Sequence, residues 1–453
     1  MSRRAAALLA LALTSWPVRA LDPARRPDLY TQEVWLAGQA LPAGRLRTIY
    51  QSFDGYLWIG SYDGLVRFDG TRFVSFGKHE LPSLRSNVVN VILEDRQGVL
   101  WIGTQAGLTR LFRDGTAATL GTEDGLPHPR VNALVEDPEG GLWVGTEGGL
   151  LKLRAGRPTV YGAADGLPSA AVLALASAPD GTVWIGTRSG LVSFREGRFT
   201  SYGPKDGLLG DQVTALYVDR DGSLLMGHGT VEGYTVLKDG VFSTRTVKDG
   251  LPHGTIELFL RDRDGNLWLG SWTGGLSRVF EGRVDVFGQA NAPLDDGVVS
   301  ILEDREGSLW VATVGGLVRL HDGRFTVWSR RNGLVSDTVR SIWTDADGTV
   351  WLGGTPGLHR IRDGRLEVLK GPEGDNRMLF RDGRAVRTDR LRQTGGSARG
   401  TLWLGTGRGL FRGMETGKSF SFEEVLGGYV VDSMVEEPDG TYLIGTNGAG
   451  LLR

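Results

Sequence analysis

Three sets of residues in this sequence have types and spacings that could do chemistry. The first set is paired acids two residues apart: Asp219 and Asp221, Asp262 and Asp264, Asp345 and Asp347. Such pairs can open a calcium loop, but that loop needs about six oxygen ligands over about a dozen residues. Here strand-like text resumes directly after Gly222, Gly265 and Gly348, so the acids read as hairpin turns. The second set is histidines. His128 and His253 follow matching Gly-Leu-Pro text, and His79 lies in a similar connection. Metal ligation from separate repeats is conceivable, but exposed loop histidines are the better reading. The third set is turn residues that change while their surroundings stay constant: Tyr62 and Asp63, Gln105, Glu147, Arg188, His228, Trp272, Val314, Pro356, Arg408 and Asn447. Tyr62, Trp272 and His228 can stack on a sugar ring. Asp63, Gln105, Glu147 and Arg188 can hydrogen-bond its hydroxyls. Cysteine is absent, which excludes disulfides, thiol catalysis and cysteine metal sites. No Ser-His-Asp arrangement or phosphate loop can be argued, and no cofactor or metal is expected.

The constant surroundings are a repeat. Its clearest copy is Leu100-Trp101-Ile102-Gly103-Thr104 followed by Gly107-Leu108. The tryptophan slot is filled by Trp58, Trp101, Trp143, Trp184, Trp268, Trp310, Trp351 and Trp403, and by Leu225 and Leu443 in two weaker copies. The steps between the ten slots are 43, 42, 41, 41, 43, 42, 41, 52 and 40 residues. A fixed period in this range means stacked or radial units, each needing its neighbours to bury a core.

Within one repeat the strands follow from the pattern. Val88 to Leu93 is a β-rich run, Asp95 to Gly98 a turn, and Val99 to Thr104 the strand with the tryptophan. Gln105 to Gly107 turns again before Leu108 to Phe112. The fourth strand is stronger in other copies, as at Arg198 to Tyr202 and Arg324 to Trp328. Four short strands joined by Gly-bearing turns make an antiparallel meander, and one meander every 40-odd residues is a propeller blade. The expected fold is therefore all-β, a propeller of about ten four-stranded blades over 28–453. A tryptophan at one place in every blade packs against the next. Burying about 200 Å² is worth on the order of 5 kcal/mol before entropy. The Gly and Thr after it are expected to let the backbone turn tightly. Asp-Gly-Leu-Pro at Asp124 to Pro127, Asp165 to Pro168 and Asp249 to Pro252 reads as a structural connection between blades.

The ends bear on ring count. Tyr30 to Leu36 is a fourth strand with no blade of its own. The last repeat runs from Val430 to Val435, Tyr442 to Thr446 and Leu451 to Arg453, without a fourth strand. The orphan strand can complete the last blade and so remove an exposed edge. That favours one continuous ring. The alternative is a seven-bladed ring plus three blades, with a boundary near 330. Lys370 to Gly400 is longer, polar and charged, and reads as an exposed insertion.

Residues 1–20 read as an export signal. Arg3 and Arg4 give a basic start, Ala5 to Leu13 are all Ala or Leu, and Val18-Arg19-Ala20 offers a cleavage site. The apolar run is shorter than the roughly 20 residues a membrane helix needs, and no later stretch is long enough. Twin arginines raise a twin-arginine route, but the longer motif is absent. The expected location is the periplasm. The formal charge of -2 gives no reason to expect nucleic acid.

These repeats resemble those of the two-component regulator propeller family. Glu94 to Leu111, Glu303 to Leu320 and Trp58 to Phe68 match its pattern closely, and the likeness runs from Tyr30 to Arg453. The resemblance implies an exported sensor region of a bacterial signalling protein, working with a membrane-bound histidine kinase or diguanylate cyclase in the same or another chain. It implies a small-molecule ligand, with oligosaccharide the leading class, and no catalysis. A homodimer is a further expectation. Typical members carry two seven-bladed propellers, a β-sandwich, a membrane helix and an output domain, whereas this sequence shows ten repeats. Asp95-x-x-Gly98-x-x-Trp101 is faintly similar to motifs of quinone-dependent dehydrogenases and sialidases, but the sialidase spacing differs and no arginine cluster accompanies it. A free-standing periplasmic scaffold is the second reading, and a hydrolase or lyase on the same fold the third.

Overall fold

The computed structural model describes residues 21–453 except 24, 26–29, 40, 42–43, 288–293, 295–296, 323–327, 331–332, 345–347, 355–356, 363–364, 370–384, 389–401, 417–418 and 438. The export signal at 1–20, the Asp345 and Asp347 pair, Pro356 and most of the insertion at 370–400 lie outside the described residues. The chain divides into two compact units, Met1–Arg324 and Phe325–Arg453.

The first unit contains seven four-stranded antiparallel sheets. We name the strands of a blade a to d in sheet order. In blade three they are Val131–Glu136, Leu142–Thr146, Gly149–Arg154 and Arg157–Tyr161. Each strand pairs with the one before it, because short Gly-bearing turns allow nothing else. Strand a of each blade contacts strand a of the next. The strand at Val298–Glu303 in blade seven contacts that at Leu46–Gln51 in blade one. The a strands therefore line a closed central opening.

Closure is made by the N-terminal strand. Thr31–Leu36 pairs antiparallel with Gly316–His321, setting Val34 opposite Val318 and Trp35 opposite Leu317. It is thus strand d of blade seven. Of the two ring counts, the structure adopts seven plus three, and the favoured single ring of ten is corrected. The physical reason is that the orphan strand finds its edge seven repeats on, not ten. Residues 324–327 of the fourth-strand text from Arg324 to Trp328 lie outside the described residues.

The tryptophan slot works as expected. Trp143 of blade three is fully buried against Val172, Val183 and Ile185 of blade four. Trp58, Trp268 and Trp310 are buried in the same way against the blade that follows, and Trp101 and Trp184 are partly buried there. The acid six residues earlier, part of the motif weighed above, holds the indole. Trp101 Nε1 donates to Asp95 Oδ2 at 2.7 Å, Trp143 to Asp137 at 2.8 Å, Trp268 to Asp262 at 2.8 Å and Trp310 to Asp304 at 2.7 Å. Where Leu225 replaces tryptophan, buried Asp219 instead accepts from Arg261 of blade six, Nε and Nη2 at 2.8 and 2.7 Å.

The glycine after the slot has a different role from the one expected. Gly103 lies inside the strand Leu100–Thr104, not in a turn. A Cβ there would come within 2.6 Å of Val131 Cγ1 in blade three and of Val91 Cγ1. Gly60 and Gly145 meet Val89 and Val172 of the following blade at the same distance. The glycine therefore permits close approach between blades. The threonine does serve the turn: Thr104, Thr146 and Thr187 Oγ1 donate to the carbonyls of Gly107, Gly149 and Gly190 at 2.8–3.0 Å.

The second unit contains three sheets. Blade eight is Val339–Thr344, Val350–Gly354, Gly357–Arg362 and Arg365–Leu369. Blade nine is Ala385–Thr388, Leu402–Gly405, Gly409–Thr416 and Ser419–Gly427. Blade ten has three strands, Val430–Glu436, Tyr442–Asn447 and Gly450–Leu452. Trp351 packs on Leu402 and Leu404 of blade nine, and Trp403 on Val431 and Ile444 of blade ten. The slot thus joins blades here as in the ring.

Candidate functional site

The b–c turns and the d–a connections open on the same face of the ring. The d–a connections are rigid for a local reason. In three of them a single 3-10 turn is closed by the Asp of Asp-Gly-Leu-Pro. Asp124, Asp165 and Asp249 Oδ2 accept from Gly121, Gly162 and Thr246 N at 2.8–2.9 Å. Gly125, Gly166 and Gly250 follow at φ 95°, 111° and 87°, which favours glycine. Leu126, Leu167 and Leu251 are buried. The structural reading of this motif holds.

Strand a presents a second ring of residues at the same mouth. In all seven blades of the ring, pairing with strand b slips at the second residue of strand a. Those residues are Arg47, Asn90, Asn132, Leu173, Thr214, Glu257 and Val299. A bulge re-aims the side chain it carries. The residues before them, Leu46, Val89, Val131, Val172, Val213, Ile256 and Val298, are buried, while these seven are half-buried around the opening. Asn90 Nδ2 donates to the Val131 carbonyl at 2.8 Å and Asn132 Nδ2 to that of Val172 at 3.0 Å. Arg47 Nε, Asn90 Oδ1 and Thr214 Oγ1 are buried without a hydrogen-bond partner.

A cavity of about 290 Å³ opens here, lined by Arg45, Leu46, Arg47, Tyr62, Asn132, Thr214, Glu257, Leu258, Trp272, Val298, Val299 and Val314. Tyr62 and Trp272 are both exposed at its rim. Arg47 Nη1 donates to the Tyr62 hydroxyl at 2.8 Å, and its guanidinium carbon lies 5.1 Å from the ring centre. Glu257 Oε1 accepts from Thr255 Oγ1 at 3.1 Å.

Of the residues singled out from sequence, the cavity brings together Tyr62, Trp272 and Val314. Asp63, Gln105, Glu147 and Arg188 stand on b–c turns but do not line it. Asp63 Oδ2 accepts from Gly44 N at 2.6 Å. Glu147 accepts from Arg188 Nη2 at 2.9 Å and lies 3.8 Å from Arg130 Nε. Gln105 is exposed, and its backbone N–H donates to the Val88 carbonyl at 3.3 Å. His228 is a correction. It is not a turn residue but ends the strand Leu224–His228, in the slot other blades give to threonine. It is fully buried, and its Nε2 is 2.8 Å from Thr235 Oγ1. Burial lowers its pKa from the ordinary histidine value. It faces no ligand surface.

The sequence reading missed Arg45, Arg47, Asn132, Thr214 and Glu257. A signal was available: each strand a carries one variable residue between two that stay largely apolar, as in Val131-Asn132-Ala133 and Ile256-Glu257-Leu258. The paired acids hold turns. Asp221 accepts from Ser223 Oγ at 2.6 Å and Lys238 Nζ at 2.5 Å. Asp262 accepts from Asn266 and Trp268. Among the described residues no group of three or more His, Asp or Glu is placed to hold a metal ion. His253 Nδ1 instead lies 3.1 Å from Glu232 Oε2.

The fold and this face define a seven-bladed β-propeller with a ligand-sized cavity at one mouth. Five stretches of the chain match the model of the two-component regulator propeller family, at residues 83–106, 125–148, 166–189, 250–273 and 293–315. No curated protein matches the chain in sequence. Among solved structures it is similar to an extracellular domain ascribed to a hybrid two component system of B. thetaiotaomicron. The TM-score is 0.62 at 19% identity over 93% of this chain and 65% of the other. A second such domain, ascribed to a one component system of the same organism, gives 0.54 at 18% identity, over 93% of this chain and 58% of that one. The chain therefore spans under two thirds of the length of these domains. It is also similar to a streptogramin B lyase, with a TM-score of 0.53 at 16% identity over 64% of this chain and 97% of that one. These likenesses show the fold. Among the described residues no helix is long and apolar enough to cross a membrane.

Proposed function

We propose that this chain is the periplasmic, ligand-sensing propeller of a bacterial two-component type signalling system, exported by a cleaved signal at 1–20. It binds a small ligand, an oligosaccharide, at the mouth of the seven-bladed ring and has no catalysis of its own. Its output runs through a membrane-bound histidine kinase or diguanylate cyclase in the same or another chain, and it acts as a homodimer without a cofactor.

The observation that carries this reading is the meeting of exposed Tyr62 and Trp272 on one cavity of about 290 Å³. That volume is close to the lower end of the roughly 300–1,000 Å³ usual for small-molecule sites. Aromatic faces suit the apolar faces of sugar rings. Arg47 Nε and Thr214 Oγ1, each without a partner, suit hydroxyl groups, because a buried polar group left unpaired is costly. Asp63, Gln105, Glu147 and Arg188 form an outer rim that a longer oligosaccharide would reach. An enzyme reading is less well supported, since the lyase likeness is one of fold.

The test is calorimetry of the purified chain against a panel of neutral and acidic oligosaccharides. At least one should bind, and Trp272→Ala and Arg47→Ala should each weaken it about tenfold or more, as loss of an aromatic or charged contact does. A panel without a binder, or affinity unchanged in both variants, would sink the proposal.

A further inference from the structure

Blades one and three of the ring build the same corner of the mouth from different residues. Arg45-Leu46-Arg47 leads into strand a of blade one as Arg130-Val131-Asn132 leads into that of blade three. The b–c turn answers with Tyr62 in blade one and Glu147 in blade three, each four residues after its tryptophan slot. The backbone N–H of Tyr62 donates to the Arg45 carbonyl at 3.1 Å, and that of Glu147 to the Arg130 carbonyl at 3.3 Å. The two corners are therefore equivalent in place. They differ in charge. In blade three the Glu147 carboxylate meets both Arg130 and Arg188, and on the connection into blade two Arg85 pairs with Glu123. In blade one a phenol stands where blade three has its acid. Arg45 and Arg47 form no ion pair with a described residue. The acid beside Tyr62, Asp63, accepts from Gly44 N at 2.6 Å instead.

What remains uncompensated is a fork of donors. The Tyr62 hydroxyl accepts from Arg47 Nη1 at 2.8 Å. That leaves the other edge of the guanidinium, Nε and Nη2, which can give a carboxylate two parallel bonds. Nε is buried without a partner, and Nη2 has none among the described residues. A buried donor left unpaired is costly, so an acceptor drawn to this edge gains more than one at a hydrated arginine. Arg45 adds a second positive charge to the same lining. Glu257, also on the lining, belongs to blade six, with blade seven between it and the arginines. Two arginines against one glutamate leave a single positive charge, which suits a monoanion.

We propose that the ligand of this cavity is an acidic sugar, a uronate. Its carboxylate docks on the Nε–Nη2 edge of Arg47 beside Arg45, and its ring faces lie against Tyr62 and Trp272. The proposal rests on the sugar-binding reading of the same cavity and adds a charge to it.

The test is calorimetry of the purified full chain with di- and trisaccharides of galacturonate and glucuronate, each beside its carboxyl-methyl ester. The ester keeps the hydroxyls and ring faces and removes the charge. At least one uronate should bind, and its ester should bind about tenfold or more weakly, as loss of a hydrogen bond to a charged group does. Added salt should weaken the uronate and spare the ester. In Arg47→Gln the uronate should fall to the level of its ester, while the ester changes by no more than about twofold, since the ester never engages the fork. Arg47→Lys, which keeps the charge and loses the fork, should recover only part of the affinity. Thermal unfolding checks the fold of each variant, and Arg45→Ala, on an exposed side chain, makes the same comparison should Arg47→Gln fail to fold. A uronate bound no better than its ester would overturn the proposal and leave the sugar site standing. A panel in which nothing binds would remove the sugar site as well. Binding of a sulfated galactose disaccharide but of no uronate would overturn the carboxylate in favour of a sulfate. Succinate bound as tightly as the best uronate would take the ligand out of the sugars.

Discussion

The seven-bladed ring and the three-bladed array are built from the same repeat, yet they differ in what surrounds each blade. In the ring Leu46, Val89, Val131, Val172, Val213, Ile256 and Val298 are all buried, because the preceding blade covers each one. In the array the corresponding Val339 is 44% exposed. The difference teaches that a blade does not own its core. The slot residues are apolar in every copy, but their burial is decided by a neighbour. The ring achieves this for all seven blades through one non-local event, the pairing of Thr31–Leu36 with Gly316–His321. That joint is reinforced on both sides. Trp35 stacks on Trp310 with centroids 5.4 Å apart and meets Phe68 of blade one edge-on at 5.7 Å. Arg305 of blade seven donates to the Phe53 and Ser52 carbonyls of blade one at 2.7 and 3.0 Å.

If closure is what separates the two regions, removing it should make the ring behave like the array. Trp35→Ala is expected to have the largest effect, a loss of about 3 kcal/mol, the lower part of the range for deleting a large aromatic from a core. Hydrogen exchange should rise first in Leu46–Gln51 and Val298–Glu303, the strands on either side of the joint. Unchanged exchange there would mean that closure does not hold the ring. A middle effect comes from the joints between neighbouring blades. Gly103→Ala places a Cβ against Val131 and Val91 and should cost about 1–3 kcal/mol by overpacking, read by denaturant unfolding. In blade seven Ala312 naturally fills the same slot, so that joint already accepts the extra methyl.

The smallest effect is a pH dependence shared by both regions. Burial lowers the pKa of His228 in the ring and of His359 in the array. Each unfolded histidine titrates near 6.5 and each folded one below that. The unfolded chain therefore binds more protons as pH falls. Stability should be full above about pH 6.5 and decline below it, by at most about 1.4 kcal/mol per pH unit for each histidine. His228→Thr restores the residue type found at Thr104 and Thr146 and should flatten this decline for the ring only. A decline of the same slope after that substitution would show that other groups set it.

Much of the candidate site was legible in part. Tyr62 and Trp272 were visible as variable aromatics on an otherwise constant turn, and both line the cavity. Asp63, Gln105, Glu147 and Arg188 were visible by the same comparison but stand on the turns outside it. His228 was misread because it was set beside turn residues such as Arg188, although it stands three residues after Leu225, as Thr187 stands three after Trp184. Histidine in a threonine slot looks like a surface residue until Thr235 is found opposite it. Arg47, Asn132, Thr214 and Glu257 were overlooked because they sit inside strands, where period-two alternation predicts nothing about a bulge.

The sequence by itself determined the blade. Forty-odd residues with four β-rich runs, turn glycines at fixed offsets and one tryptophan slot can form only a local antiparallel meander, since every contact within it lies close in the chain. Asp-Gly-Leu-Pro was likewise readable, because its hydrogen bonds and positive φ are local. Tertiary structure alone decided how many blades close into a ring and which side chains meet at its mouth. Both depend on residues hundreds of positions apart, such as Trp35 stacked on Trp310, and Tyr62 and Trp272 lining one cavity. Neither is encoded in any single repeat, only in where one orphan strand finds an open edge.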